Sequence, residues 1–124
     1  MTDGDTIEVV LAGRRRERVR YIGIDTPERG DCYYGEATAR NGELVMGKRV
    51  RLERDRTDRD RYGRLLRYVY VGDTLVEAKL VEEGYAVAKA YPPDTKHQSL
   101  LERLQGEAQR KMLGLWGPVC TRVP

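Results

Sequence analysis

The sequence predicts an α+β fold, mainly β, in a single domain of residues 1–124. Short runs rich in Val, Ile and Tyr, with alternating polarity, fill much of the chain up to residue 71. Apolar residues at helical spacing take over from residue 74 onward. A chain of 124 residues suits one core, because a domain of that size hides about two-thirds of its unfolded surface. No repeat, linker or low-complexity tract divides it.

Residues 5–12 ("DTIEVVLA") and 17–25 ("ERVRYIGID") read as strands joined by a Gly-Arg-Arg-Arg turn, and residues 48–55 and 64–71 as two more. Between them, residues 34–47 carry Ala37, Leu44 and Val45 at loosely helical spacing, weakened by Gly42. Thr74 to Glu77 and Thr95 to Gln98 match the capping-box pattern. Amphipathic runs follow each: Leu75, Val76, Leu80 and Val81, then Leu100, Leu101, Leu104, Ala108 and Met112. Gly84 and Gly114 are placed to end those helices. Twisted antiparallel strands followed by helices predict a small barrel of the OB type.

Apolar content of 40%, charged content of 35% and a mean hydropathy of −0.68 describe a globular chain whose apolar runs are too short for a bilayer. The opening "MTDGDTIEVV" has neither the basic start nor the apolar core of an export signal. Net charge is only +3, yet residues 48–67 hold nine Lys or Arg against four Asp or Glu. That stretch is either a solvated basic face or a surface for a polyanion. Cys32 and Cys120 lack CxxC spacing and have only His97 as an imidazole nearby in composition, so a zinc site is short of ligands. Two buried thiols or a disulfide both fit; the Gly- and Pro-containing contexts "RGDCYYG" and "WGPVC" favour the disulfide.

The chemistry-bearing residues gather at strand ends. Asp3 and Gly4 of "DGDT" make a turn, but a turn does not require Asp5. With Asp25 at the end of the next strand, Asp5 supplies hard anionic oxygen, and the Thr26 carbonyl and waters complete a shell that suits Ca²⁺ better than Zn²⁺. "DRDRYG" is no EF-hand, since Tyr62 and Val69 stand where the loop needs acidic or amide oxygen and a glutamate. Arg20, among apolar neighbours, and Arg64, after Tyr62-Gly63, offer planar forks that match phosphate oxygens. Glu28, beyond Pro27, is positioned to orient or deprotonate water. Together these are the parts of metal-assisted phosphodiester cleavage. Strict alternation from Arg20 puts Asp25 on the opposite face, so convergence needs a bend at Gly23 or at the strand's end.

The ordered segments "DGDTIEV", "VRYIGIDTPE", "YGEA", "DRYGRLLRYVY", "LVEEGYA", "YPP" and "GLW" resemble the staphylococcal nuclease (thermonuclease) family from Asp3 to about Trp116. The resemblance implies a five-stranded Greek-key OB barrel with about three helices. It implies a Ca²⁺-dependent phosphodiesterase that cuts DNA and RNA with little sequence preference, leaving 3′-phosphates. By resemblance, Asp5, Asp25 and Thr26 hold calcium, Arg20 and Arg64 stabilise the transition state, and Glu28 prepares the attacking water. Arg61, where lysine is familiar, and Tyr62 fall where the family holds a terminal phosphate, and Tyr91 corresponds, across a gap, to a base-stacking tyrosine. Two departures stand out: only Met1 and Thr2 precede Asp3, so the first strand is expected to be missing or truncated, and the basic loop after "TPE" is short. A monomer is expected, with strand exchange open to it if that strand is absent. Family habit and a Cys32–Cys120 bridge imply a secreted or periplasmic protein, with the cytoplasm as the other possibility. The alternatives are a non-catalytic binding domain of the same family and a plain OB single-strand binder; the scattered tyrosines, with Tyr68 and Tyr70 in a core strand, argue against the latter.

Overall fold

The computed structural model describes residues 3–121. Strand β1 (Thr6–Val10) turns Ile7 and Val9 inward and Glu8 and Val10 outward. It pairs antiparallel with β2 (Arg16–Tyr21), Thr6 opposite Arg20 and Val10 opposite Arg16. A 3-10 turn at Ala12–Arg14 joins them, in the basic turn that the sequence predicts.

The predicted strand 17–25 is two strands. At Gly23 the chain takes a φ of 86°, and a Cβ there would stand 2.7 Å from Leu101 Cδ1. Only glycine fits so tight a left-handed bend. Past it, β3 (Ile24–Asp25) leaves the main sheet and pairs with β7 (Val87–Ala88). Helix α1 (Tyr34–Val45) then buries Ala37, Asn41 and Val45 along one stripe. β4 (Arg51–Glu53), β5 (Leu65–Val71) and β6 (Thr74–Leu75) complete a five-stranded main sheet ordered β1-β2-β5-β4, with β6 on β5. Most of the expected antiparallel pairing is present, and β2 and β5 add a parallel pair, Val19 beside Leu65, across the connection that contains α1. Met1 and Thr2, where a missing first strand was expected, lie outside the described residues.

Helices α2 (Val76–Glu82) and α3 (Gln98–Arg110) close the core. Val19, Ile24, Val69, Val76, Leu80, Val81, Ala86 and Leu101 are fully buried there. At about 25 cal/mol per Å² of apolar surface, this cluster is the main stabilising contribution. Tyr68 is buried, and the Tyr70 hydroxyl meets Glu53 and the His97 ring, so the tyrosines of β5 are committed to packing. The two capping boxes do not form. Thr74 is taken by pairing with Val71, so α2 starts after Leu75. For α3 the residue before the first turn is His97, and Thr95 bonds Gln98 through its carbonyl. Gly84 does end α2, with Tyr85 N–H donating to Leu80 and Gly84 N–H to Val81. Gly114 does not end α3: Met112, at a φ of 55°, takes that role, with Leu113 N–H donating to the Ala108 carbonyl.

A 3-10 turn (Gly114–Trp116) and α4 (Pro118–Thr121) follow. Cys120 in α4 is bonded to Cys32, Cα atoms 5.7 Å apart, closing a separation of 88 residues. Among the described residues, Asn41 and Glu77 are polar side chains with no exposure at all. Glu77, in the first turn of α2, is fully buried; its Oε1 accepts the Val69 N–H at 3.0 Å and its Oε2 has no partner. No helix among the described residues is long and apolar enough to cross a membrane.

Candidate active site

A cleft of about 900 Å³ opens between the start of β1, the end of β3, the loop before β5 and the segment after β7. Asp5, Arg20, Asp25, Thr26, Glu28, Arg61, Tyr62, Arg64 and Tyr91 all line it. Residues distant in sequence meet there because β1, β2 and β5 are neighbours whose ends the loops prolong.

The first two loops are tied together. Asp3 accepts the Asp5 N–H at 3.2 Å, and Asp5 Oδ2 accepts the Thr26 N–H at 3.0 Å. Gly4 packs so closely that an added Cβ would lie 2.7 Å from Thr26 Oγ1 and 2.9 Å from its Cβ. Arg20 reaches across the Gly23 bend. Its guanidinium donates to the Tyr21 and Ile24 carbonyls at 2.7 and 2.9 Å and to Asp25 Oδ1 at 2.5 Å, and lies 3.4 Å from Asp5 Oδ2. Both aspartates therefore converge on one point. The bend and the long arginine side chain together overcome the facing problem that strict alternation poses.

Arg64 enters from the other side. Its Nε donates to Asp60 Oδ2 at 2.6 Å and its Nη1 to Thr6 Oγ1 at 3.3 Å, and Thr6 is Arg20's register partner. Burial alone would raise the Asp60 carboxyl, but the Arg64 and Tyr62 amides and the Arg64 guanidinium outweigh it and hold the group below its usual range. The Tyr62 ring, well exposed, lies between Arg61, 4.9 Å from its centroid, and Arg64, 5.5 Å away. The Tyr91 hydroxyl donates to both oxygens of Asp25 at 2.9 and 3.0 Å; burial and that carboxylate raise its pKa.

Burial raises the Asp5 carboxyl above its ordinary value, and the Arg20 charge pulls the other way. Thr26 Oγ1 is buried beside it with no partner. A buried carboxylate, a second one converging on it and an orphaned oxygen make a hard-oxygen donor set, which fits a cation such as Ca²⁺. Among the described residues no three His, Cys, Asp or Glu side chains cluster to hold a metal unaided, so main-chain oxygen and water must supply the remaining ligands. The Glu28 carboxylate is exposed at the cleft wall and is bonded to no described residue.

Four supporting residues escape sequence reasoning. Asp3 and Asp60 are the carboxylates just described. Asn41 accepts from the Tyr21 hydroxyl and donates to the Asp3 carbonyl at 3.0 Å, so α1 fastens both β2 and the first acidic loop. Asp94 is buried and accepts the Arg56 and Thr57 N–H groups, pinning the loop that carries Arg61 to Arg64. Asp60 had a signal, standing four residues before Arg64; Asn41 had only its place on α1's buried stripe.

Residues 18–118 match the family described as staphylococcal nuclease homologue. The thermonuclease of Staphylococcus intermedius is 46% identical over 120 residues, covering 92% of this chain and 71% of that protein. The Staphylococcus hyicus thermonuclease is 39% identical over 120 residues, covering 92% and 70%. Endonuclease YncB of Bacillus subtilis (strain 168) is 44% identical over 122 residues, covering 92% of this chain and 57% of its own length. With a match of this extent laid over a cleft built from Asp5, Arg20, Asp25 and Arg64, the chain belongs to the staphylococcal nuclease family.

Proposed function

We propose that the protein is a Ca²⁺-dependent nuclease that hydrolyses DNA and RNA with little sequence preference, leaving 3′-phosphate ends. One observation carries the reading: Arg20 from β2, Arg64 from the loop before β5 and two aspartates meet in a single cleft beside an uncommitted glutamate. The names of the relatives, thermonuclease and endonuclease, support the same chemistry.

Asp5, Asp25 and the Thr26 carbonyl would hold Ca²⁺, which when bound would supply positive charge to offset that of the phosphate. Arg20 and Arg64 direct their forks at the other phosphoryl oxygens, where negative charge grows as the bond breaks. Their pairing to Asp25, Asp5 and Asp60 fixes the forks before substrate arrives. Glu28 orients a water in line with the departing 5′-oxygen. The new bond joins water oxygen to phosphorus as that water gives one proton to the Glu28 carboxylate, the bond to the 5′-oxygen breaks, and that oxygen takes a proton from solvent. Arg61 and Tyr62 hold a neighbouring phosphate, and the exposed Tyr91 ring is a surface for a base. No step reads a base edge, which accounts for the low sequence preference. The Cys32–Cys120 bond supports an exported protein, secreted or periplasmic.

The test is release of acid-soluble nucleotides from DNA and RNA, with Ca²⁺ or with a chelator. Cleavage is expected with Ca²⁺ alone, with Glu28→Gln and Arg64→Ala each lowering it about 10²–10³-fold. Nucleic acid bound but uncut in Ca²⁺ would replace the enzyme with a binding domain.

A further inference from the structure

We infer that the outward face of β2 is a phosphate track: Arg20, Arg18 and Arg16 receive three successive phosphates of one extended nucleic-acid strand, whose scissile bond lies at Arg20. The inference rests on the nuclease reading and adds to it a substrate class, an extended strand rather than an isolated diester.

Alternation sets the geometry. Val19 and Tyr21 are buried and Glu17 is half-buried, so Arg16, Arg18 and Arg20 share the other face. Alternate residues on a strand stand about 6.6–6.8 Å apart, a pitch that an extended sugar–phosphate chain can follow. Exposure grades outward from the cleft, the side chain of Arg20 being 14% accessible and that of Arg16 73%. Arg18 is exposed and has no ion-pair partner among the described residues. On one side Glu8, opposite Arg18, reaches instead to Arg16 at 3.1 Å, an exposed pair that phosphate can displace at little cost. On the other side, β5 runs parallel to β2 with Val19 beside Leu65, and Arg64, just before β5, reaches the hydroxyl of Thr6, the register partner of Arg20. Arg14 and Arg15, both exposed, extend the basic surface to the hairpin tip.

A solvated strand face gains nothing from like charges at every second position, since neighbouring cations repel. β2 lies between β1 and β5, so the row is rigid and needs little ordering to bind. Guanidinium forks suit phosphate oxygens, and a basic row that follows the backbone is how strands are gripped without sequence readout.

The deciding experiment compares wild type with the double variant Arg16→Gln, Arg18→Gln on single-stranded oligonucleotides from two to ten nucleotides, over a range of salt. The expected result is a KM for the ten-nucleotide strand raised about 10-fold with kcat held. The penalty should shrink as the strand shortens, and the log–log salt slope should become shallower by about 1.4, two phosphate contacts at about 0.7 each. Glu8→Gln should lower KM for the long strand, an improvement that misfolding cannot produce. Arg103→Gln, an exposed change on α3, serves as the charge control. Unchanged KM and salt slope in the double variant would overturn the track while leaving the nuclease reading intact. Should wild type cut no strand of any length, the nuclease reading fails instead. Anisotropy titration of the ten-nucleotide strand then decides the track by itself, equal affinities of variant and wild type overturning it.

Discussion

Replacing Glu77 by Gln should remove most of the stability loss that the fold suffers in alkali. Burial pushes the Glu77 carboxyl up to about 8 from an ordinary 4.5, against the smaller opposing pull of the Val69, Glu77 and Ile22 amides and of Arg20. The folded protein therefore keeps a proton that the unfolded chain has released over that interval. Because the native state binds more protons there, stability is fully present below 4.5 and is lost as pH rises through about 8. At about 1.4 kcal/mol for each decade of proton activity, the loss reaches about 5 kcal/mol. Glutamine preserves an acceptor for the Val69 N–H and does not titrate. At pH 4.5 the variant should lie within about 1 kcal/mol of wild type, and by pH 9 it should be the more stable protein by several. Asp5, whose carboxyl is also raised, weakens both proteins alike with rising pH and cancels in the difference. Urea unfolding followed by the fluorescence of Trp116, the single tryptophan, gives the midpoints across that range. With about 2 kcal/mol/M expected for the urea dependence, the two midpoints should separate by about 2 M at pH 9. Stability curves that run parallel from pH 5 to 9 would refute the reasoning, since Glu77 would then be ionised in the folded state.

Reducing the Cys32–Cys120 bond should lower stability by about 2–4 kcal/mol, because it releases a long closed loop in the unfolded chain; equal urea midpoints with and without reductant would contradict this. Asn41→Leu should cost about 1–3 kcal/mol by stranding the Tyr21 hydroxyl and the Asp3 carbonyl inside the protein. Thermal unfolding measures it, and a Tm equal to that of wild type would show that both groups find other partners.

The strands were legible wherever burial alternates, as at Ile7 and Val9 or Val19 and Tyr21, because period-two patterning is local information. The break at Gly23 was only partly legible: Ile24 continues the β pattern, and Leu101, which leaves no room for a Cβ at the bend, comes from α3. Parallel pairing of β2 with β5 depends on a connection through α1, which no local window contains. Thr74 carries a genuine capping signal, but β5 recruits it into a hairpin, and tertiary pairing overrides the local preference. The cleft residues could be named because their side chains are costly without a ligand, whereas the groups that hold them could not. Asn41 reaches a tyrosine 20 residues earlier, and Asp94 reaches amides 38 and 37 residues earlier, contacts that spacing does not encode. Glu77 reads in the sequence as the second half of a capping box with Thr74; only its position over β5 shows that it is buried.

Gly4 gives the acidic pair its dimensions through a vacancy the size of a methyl group. Alanine in that place would press into the Thr26 side chain and wedge the two turns open, drawing the oxygens of Asp5 away from those of Asp25. A survey of natural or randomised sequences should accordingly find position 4 as intolerant as the carboxylates beside it, although it contributes no reactive atom.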